Sequence, residues 1–223
     1  MGFFTQKNKP TQNTYAVVTG AGSGIGRSFA MELAKRGGTI VCADINLNAA
    51  EETVQLIQAE TAGQAFAVQC DVGIKEQVYE LSEQAEKLMG HPVTLLINNA
   101  GVGLGGKFDE VSLEDWQWCM HVNLWGVIHG CHYFVPKFKK QGYGAIINVA
   151  SAAGYTAAPE MTAYNVTKSS VLALSETLSA ELRSANIRVN VLCPTLVPTN
   201  IMKNGRLPSR YSGLADQLLM NHA

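Results

Sequence analysis

The chain has 223 residues, of which 47% are hydrophobic and 16% are charged, and its formal net charge at pH 7 is −1. This length accommodates one domain with a substantial core, and the near-neutral charge argues against nucleic-acid or anionic-membrane partners. No apolar run is long enough to span a bilayer, and the five cysteines include no CxxC pair. We therefore predict a soluble cytoplasmic protein without a membrane partner.

Residues 1–14 are mostly polar, and we predict a flexible tail there, followed by a single domain over 15–223. Within the domain, short apolar runs alternate with segments of helical periodicity. The predicted strands are Tyr15–Thr19, Thr39–Asp44, Ala65–Cys70, Thr94–Asn98, Ala145–Ala150 and Arg188–Leu192, and the helical segments lie near 24–36, 48–60, 74–89, 113–140 and 162–184. Nearly continuous apolar strands are typical of parallel sheets. We predict an α/β fold, a doubly wound parallel β-sheet of the Rossmann type with helices on both faces.

A glycine-rich stretch, Thr19–Gly26, joins the first predicted strand to the first predicted helix. Glycines at such a junction allow a tight turn in which backbone N–H groups approach a pyrophosphate at a helix N-terminus. Alone this is weak evidence, because plain turns also contain glycines.

Asp44 ends the second predicted strand. A carboxylate there can accept hydrogen bonds from the adenosine ribose and would repel a 2′-phosphate. Neither Ile45 nor Asn46 supplies a compensating cation, so we predict NAD over NADP. The alternative is a turn or helix-capping aspartate, and for Asp71, which follows the third strand, a turn role is the stronger interpretation.

Two further polar features follow the fourth predicted strand. In Asn98–Gly101, two side-chain amides lie next to a glycine turn. They either bond the backbone beside a bound adenosine or close the strand by local hydrogen bonds. Asn123 lies among large apolar residues, and a buried amide needs a partner, which makes it structural or functional. Three histidines share the segment 113–140, but no carboxylate or cysteine completes a ligand set, so no metal site is predicted.

Ser151 follows the fifth predicted strand, and Tyr164 and Lys168 are spaced to share one helix face. An unperturbed tyrosine has a pKa near ~10, too high for ready proton exchange at neutral pH. A neighbouring ammonium lowers that pKa, so we predict acid–base chemistry, with a solvated helix pair as the alternative.

In this combination and order, the sequence resembles the short-chain dehydrogenase/reductase family in its single-domain form. The family's Thr-Gly-x-x-x-Gly-x-Gly pattern is matched by Thr19–Gly26 and its Asn-Asn-Ala-Gly by Asn98–Gly101. Its active-site serine is matched by Ser151, and its Tyr-x-x-x-Lys by Tyr164 and Lys168. The resemblance runs from about Tyr15 to Thr199.

The resemblance implies an oxidoreductase that transfers a hydride between NAD(H) and a secondary alcohol or ketone. It implies that Tyr164 exchanges a proton with the substrate oxygen, that Lys168 bonds the nicotinamide ribose and lowers the tyrosine pKa, and that Ser151 holds the substrate oxygen. Asn123 would keep a proton-relaying water. Cofactor binding is implied for Gly20, Ser23, Gly24, Ile25, Gly26, Asp44, Asp71, Val72, Asn99, Ala100, Gly101, Tyr164, Lys168, Pro194, Val197 and Thr199.

The C-terminal part departs from the family pattern. Because the chain stops at Ala223, we expect 195–223 to form a substrate lid and the family's C-terminal edge strand to be absent. Mainly small or apolar residues are expected around the substrate, at Gly103, Leu104, Ala152, Ala153, Tyr155, Pro159, Leu196 and Val197. They favour a neutral, fairly apolar substrate, although Arg206 or Arg210 could meet an acidic group instead.

Two alternatives to the alcohol oxidoreductase stay open from the sequence. One is a nucleotide-binding regulatory or scaffold protein without turnover, and the other is a dehydratase or epimerase that uses the same tyrosine and lysine. The long segments near 113–140 and 162–184 resemble the family's dimer-forming helices, so we expect a homodimer or homotetramer.

Overall fold

The computed structural model describes residues 14–195, 197, 201 and 205–208. Its six strands are β1 Tyr15–Thr19, β2 Thr39–Asp44, β3 Gln64–Gln69, β4 Leu95–Asn98, β5 Gly144–Val149 and β6 Ile187–Leu192. They form one parallel sheet in the order β3-β2-β1-β4-β5-β6. The predicted doubly wound α/β fold is therefore confirmed, and the strand order reverses between β1 and β4.

Seven α-helices connect and cover the strands in the described part of the chain: α1 Gly24–Lys35, α2 Leu47–Glu60, α3 Lys75–Met89, α4 Leu113–Met120, α5 Gly126–Gln141, α6 Ala153–Thr156 and α7 Thr162–Leu182. A π-helical segment, His121–Trp125, joins α4 to α5, and a 3₁₀ turn, Arg183–Ala185, follows α7. The single helix predicted over 113–140 is thus three segments, and α6 was not predicted.

The core lies in two layers because successive residues of a strand point to opposite faces of the sheet. In β1, Val17 packs on the face covered by α3, α5 and α7, where Phe134 and Phe138 of α5 are fully buried. Val18 packs on the other face, against α1 and α2. The four inner strands, β2, β1, β4 and β5, are covered on both faces, which is why their sequences are mostly apolar.

The carboxyl ends of all six strands lie at one edge of the sheet, and this edge positions the site. In open parallel sheets the crevice forms where the strand order reverses. Here that point lies between β1, which leads into the glycine-rich stretch, and β4, which leads into Asn98–Gly101. No helix within the described ranges is long and apolar enough to cross a bilayer.

Candidate active site

A cavity of about 860 Å³ lies at this reversal point. Fifteen of the residues predicted to bind cofactor or substrate line it: Gly20, Ser23, Gly24, Ile25, Asp44, Asp71, Val72, Asn99, Ala100, Gly101, Ser151, Tyr164, Lys168, Pro194 and Val197. The fold therefore brings the two halves of the predicted site into one continuous space.

Two of the described site residues, Gly26 and Asn123, do not line the cavity. Gly26 lies behind the turn, where a Cβ would collide with the Gly20 carbonyl oxygen, so its position reflects close packing of helix on strand. Asn123 is fully buried beneath the wall. Thr199 lies outside the described residues.

The glycine-rich turn is held from both sides at Gly22. The Gly22 N–H donates to Asp44 Oδ2 over 2.8 Å, and the Gly22 carbonyl accepts from the Arg27 guanidinium. Gly20 and Gly24 adopt φ values of +62° and +53°, which residues other than glycine rarely adopt. The turn is thus a fixed structure, and Asp44 is one of its supports.

The residues at this end of the cavity fit a dinucleotide. The N-cap residue of α1, Ser23, makes no side-chain hydrogen bond to the first turn of the helix, which leaves the helix N-terminus facing the cavity as a site for an anionic group. A Cβ on Gly20 would come within 2.8 Å of the Ala100 Cα, so only glycine keeps this approach open. Asp44 Oδ1 accepts from the Asn46 N–H over 3.0 Å, and the carboxylate keeps acceptor capacity toward the cavity.

Asn99 ties the end of β4 to the end of β1. Its side-chain Nδ2 donates to the carbonyl oxygens of Thr19 and Gly20, over 2.9 and 3.2 Å. Its own N–H and that of Ala100 donate to the Thr19 hydroxyl. The sequence left two roles open for this amide, contact with the backbone beside a bound adenosine and closure of the strand. The observed bonds correspond to a role at the strand end, where they join β4 to β1. Asp71 makes the turn-type bond expected of it, from the Gly73 N–H over 2.9 Å.

The chemical end of the cavity contains Ser151, Tyr164 and Lys168. Ser151 and Tyr164 line this end of the cavity together, and Ser151 Oγ accepts from the Ala153 N–H over 3.2 Å. Lys168 Nζ lies 5.6 Å from the centroid of the Tyr164 ring and donates to the Val149 carbonyl over 2.9 Å. A serine, a tyrosine and a lysine are therefore held together at the wall, which is suited to proton exchange with a substrate oxygen.

Burial governs the pKa values here. It lowers the pKa of Lys168 to about 8 and raises that of Tyr164, against the smaller lowering effect of the Ser151 hydrogen bond. The predicted lowering of the tyrosine pKa by Lys168 does not occur in this structure. The physical reason is the order of titration, because a lysine with a pKa of about 8 has lost its charge before the phenol ionises.

Asn123 lies in the π-helical segment, where the Gly126 N–H donates to the His121 carbonyl five residues earlier. Its Oδ1 accepts from the Val102 N–H over 2.8 Å and its Nδ2 donates to the Val102 carbonyl over 2.9 Å. The buried amide is therefore bonded at both its oxygen and its nitrogen to the loop that follows β4, which supplies the partner that its burial requires.

Sequence reasoning missed one wall of the cavity, contributed by α4 and the π-helical segment. Its residues are Glu114, Gln117, Trp118, His121 and Val122. The first four are spaced i, i+3, i+4 and i+7, the spacing of one helix face. That spacing can be recognised in the sequence. The four residues are of mixed polarity, however, so they do not indicate that this helix face lines a cavity.

The expected substrate positions are placed differently from one another. Among those that the structure describes, Val197 is the one that lines the cavity, and Leu196 lies outside the described residues. Gly103 and Leu104 are instead engaged by the backbone of Arg206, through the Arg206 N–H to the Gly103 carbonyl over 3.0 Å and a bridge from Leu104 to Arg206. The helix α6 turns its side chains outward, so that Tyr155 is 67% exposed.

Arg206 does not meet the cavity. It forms an ion pair with Asp115, and its guanidinium carbon lies 4.2 Å from the centroid of the Trp118 ring. Arg210 lies outside the described residues. Among the described residues that line the cavity, Lys168 is the single Lys or Arg. Within the same part of the chain, no three His, Cys, Asp or Glu side chains are placed to hold a metal ion.

Comparisons with known proteins agree with this geometry. Residues 14–208 match the family model described as short chain dehydrogenase. The chain is 36% identical over 191 residues to the probable oxidoreductase EphD of Mycobacterium tuberculosis, covering 85% of this chain and 32% of that protein. It is 32% identical over 201 residues to the 7alpha-hydroxysteroid dehydrogenase of Escherichia coli K12, covering 90% and 78%.

A solved structure gives the same result. The chain is similar to a short chain dehydrogenase/reductase from Burkholderia phymatum in complex with NAD, with a TM-score of 0.87 and 37% identity over 96% of this chain and 80% of that one. The chain spans about a third of the length of the EphD protein that it matches. The family match itself covers well over half of the chain.

Proposed function

The chain belongs to the short-chain dehydrogenase family and is an oxidoreductase of that family, and from that premise we propose that it transfers a hydride between NAD(H) and a neutral secondary alcohol or ketone. The observation that carries the proposal is the Ser151–Tyr164–Lys168 group on the wall of the same cavity as Asp44 and the glycine-rich turn. Relatives of this chain are named as oxidoreductases or dehydrogenases, which favours a redox reaction over a scaffold role or a dehydratase.

Tyr164 is the proton donor and acceptor in this proposal. Its raised pKa keeps the phenol protonated at neutral pH, so it can donate a proton to a carbonyl oxygen as a ketone is reduced. In the oxidation direction the phenol must first lose its proton, and oxidation therefore becomes faster as the pH rises. NAD(H), when bound, supplies or accepts the hydride at the carbon that bears this oxygen.

Ser151 and Lys168 support that proton transfer. Ser151 lines the cavity beside Tyr164, and in this proposal its hydroxyl bonds the substrate oxygen, which aligns that oxygen with the phenol for exchange. Lys168 lies one helical turn from Tyr164, and three donors on its Nζ allow it to hold Val149 and the cofactor ribose together.

NAD is favoured over NADP by the charges around the adenosine end. Asp44 and Asp71 line this end of the cavity, whereas Lys168, the one Lys or Arg among the described wall residues, lies beside Tyr164. A 2′-phosphate placed near Asp44 would meet a negative charge without a cation to offset it.

The substitution Tyr164→Phe tests the catalytic role. It removes the phenol oxygen and keeps the ring, so we expect kcat for secondary alcohols to fall by about 10²–10⁴-fold, the usual contribution of a positioned acid or base. The dissociation constant for NADH, measured by its fluorescence, is expected to change less than about threefold. Turnover by Tyr164→Phe within a factor of about three of the wild type would overturn the proposal.

A further inference from the structure

Trp118 lies at the chemical end of the cavity. Its indole ring packs against the buried cluster of Leu104, Cys119 and Ala163, and Ala163 directly precedes Tyr164. Trp118 also lines the cavity together with Ser151 and Tyr164. An alcohol whose oxygen lies between those two hydroxyls therefore has the indole as a neighbouring wall.

The Trp118 ring is held in place from its other side. The guanidinium carbon of Arg206 lies 4.2 Å from the ring centroid, a distance at which a cation and an indole attract each other. The same guanidinium is paired with Asp115. The ring is thus fixed between the cavity and an anchored cation.

Arg206 is itself anchored by its backbone. Its N–H donates to the Gly103 carbonyl over 3.0 Å, and its carbonyl accepts from the Gly105 N–H over 3.1 Å. These bonds join the segment that follows β6 to the loop that follows β4. The position of the indole consequently depends on both loops, and a rigid aromatic wall binds a ring with little loss of conformational freedom.

The charge on the same wall restricts what can lie against it. Glu114 occupies the same face of α4 one turn before Trp118 and lines the cavity as the charged residue of that wall. A carboxylate there disfavours an anionic substrate. The other apolar wall residues at this end are Val102, Val197 and Ile201.

We infer that Trp118, positioned by Arg206, is a specificity-determining residue, and that it selects neutral cyclic secondary alcohols and ketones, whose ring lies against the indole. The inference rests on the proposed function and names its substrate class. The ring of such an alcohol is saturated, so its contact with the indole is apolar burial, and covering roughly 40 Å² of its surface corresponds to about fivefold in kcat/KM. Open-chain alcohols of the same carbon number gain less, because they lose more conformational freedom on binding.

The test compares cyclohexanol with 2-hexanol, which has the same number of carbon atoms in an open chain. In Trp118→Leu the ratio of the two kcat/KM values is expected to fall by about fivefold from the wild-type ratio. Trp116→Leu is the matched control. It removes the same side chain from the same helix, and Trp116 packs against the same buried cluster. Trp116 lines a separate depression and contacts Phe108 instead of lining the cavity, so the ratio should stay within about twofold.

Arg206→Met keeps the indole and removes the cation above it, so the ratio should fall by about twofold or more, and Arg188→Met, on the exposed side of β6, should leave it unchanged. If Trp118→Leu fails to fold, the comparison of Arg206→Met with Arg188→Met tests the inference instead. A ratio unchanged in Trp118→Leu or in Arg206→Met overturns the inference.

If the wild type oxidises neither alcohol, the proposed function fails. The inference is then decided by cyclohexanone titrated into the protein–NADH complex, whose dissociation constant must rise about fivefold in Trp118→Leu and not in Trp116→Leu.

Discussion

Asp44 supports the glycine-rich turn as well as facing the adenosine end of the cavity. Its Oδ2 accepts from the Gly22 N–H over 2.8 Å, while Arg27 holds the Gly22 carbonyl. A substitution at Asp44 therefore changes two things, the charge beside the ribose and the anchor of the turn. The alanine and asparagine variants separate these effects, because the asparagine carbonyl can still accept from Gly22.

We predict that Asp44→Ala weakens binding of both NADH and NADPH, because the turn loses a charge-assisted hydrogen bond of about 1.5–3 kcal/mol. For NADH the dissociation constant should rise by about 10–100-fold. Asp44→Asn should bind NADPH more tightly than the wild type does, since the repulsion is gone and the turn is kept. Fluorescence titration of each reduced cofactor measures both constants. Unchanged NADH affinity in Asp44→Ala would refute the role of this carboxylate.

Lys168 gives the protein a distinctive dependence of stability on pH. Burial lowers its pKa from the usual 10.5 to about 8 in the folded protein. Between those two pH values the unfolded chain binds a proton that the folded chain has released, so the free energy of unfolding rises with pH across this window. Below pH 8 both states are protonated, and the folded state carries the full cost of a buried ammonium.

The variant Lys168→Met tests this dependence. We predict that the difference in free energy of unfolding, wild type minus Lys168→Met, increases by roughly 3 kcal/mol between pH 8 and 10.5. The difference cancels groups that titrate equally in both proteins, and also any constant cost of leaving the Val149 carbonyl without its lysine partner. Denaturant unfolding at a series of pH values measures it. A difference that stays flat, or that falls with pH, would mean that the buried ammonium carries no such cost.

At the scale of elements, α5 approaches the sheet at Gly130. A Cβ there would overlap the side-chain amide of Asn98, whose Nδ2 donates to Asn148 Oδ1 over 2.9 Å. Asn148 in turn donates to the Ser175 hydroxyl of α7 over 2.9 Å. This buried chain of polar groups joins β4, β5 and α7, and only a glycine in α5 leaves room for it.

We predict that Gly130→Ala lowers the free energy of unfolding by about 1–3 kcal/mol, the usual cost of overfilling a packed interior. Helix propensity alone predicts the opposite sign, a gain of roughly 1 kcal/mol for alanine over glycine. Urea unfolding distinguishes the two, with Lys139→Ala on the exposed side of the same helix as the control, expected to change stability by no more than about 0.5 kcal/mol. A stabilised Gly130→Ala would show that the interior yields to the added methyl group.

The sequence predicted every strand end to within one residue, because parallel strands covered on both faces form short, nearly continuous apolar runs. The π-helical segment between α4 and α5 was not predictable in the same way. Asn123 lies in this segment, and its amide oxygen accepts from the backbone N–H of Val102, 21 residues earlier in the chain. The α4 wall was missed for a related reason, since the direction in which Trp118 faces is decided by its packing against Leu104 and Ala163.

The residues of the chemical end were predicted, but their electrostatics were not. The spacing of Tyr164 and Lys168 indicates that the two side chains share a helix face. It says nothing of how deeply Lys168 is buried, and burial is what lowers its pKa to about 8. The assigned roles of the individual site residues, the domain limits and the expected homo-oligomer stay predictions.

At the scale of the whole molecule, the sheet places the residues proposed to bind the cofactor and those proposed to act on the substrate at the same edge. The reversal of strand order opens the cavity between β1 and β4. The second half of the sheet, with α7, brings Ser151, Tyr164 and Lys168 to the same space. The central claim is that this space passes a hydride from a carbinol carbon to NAD.

Oxidation of 2-hexanol carrying deuterium on its carbinol carbon tests that claim most directly. The wild-type protein is incubated with this alcohol and NAD⁺, and the reduced cofactor is analysed by mass spectrometry. The account predicts one deuterium in the reduced cofactor for each molecule of ketone formed, because the hydride moves directly and the proton leaves through Tyr164. Ketone formed without deuterium in the cofactor, or a protein that binds NADH and reduces NAD⁺ with no secondary alcohol, would contradict it.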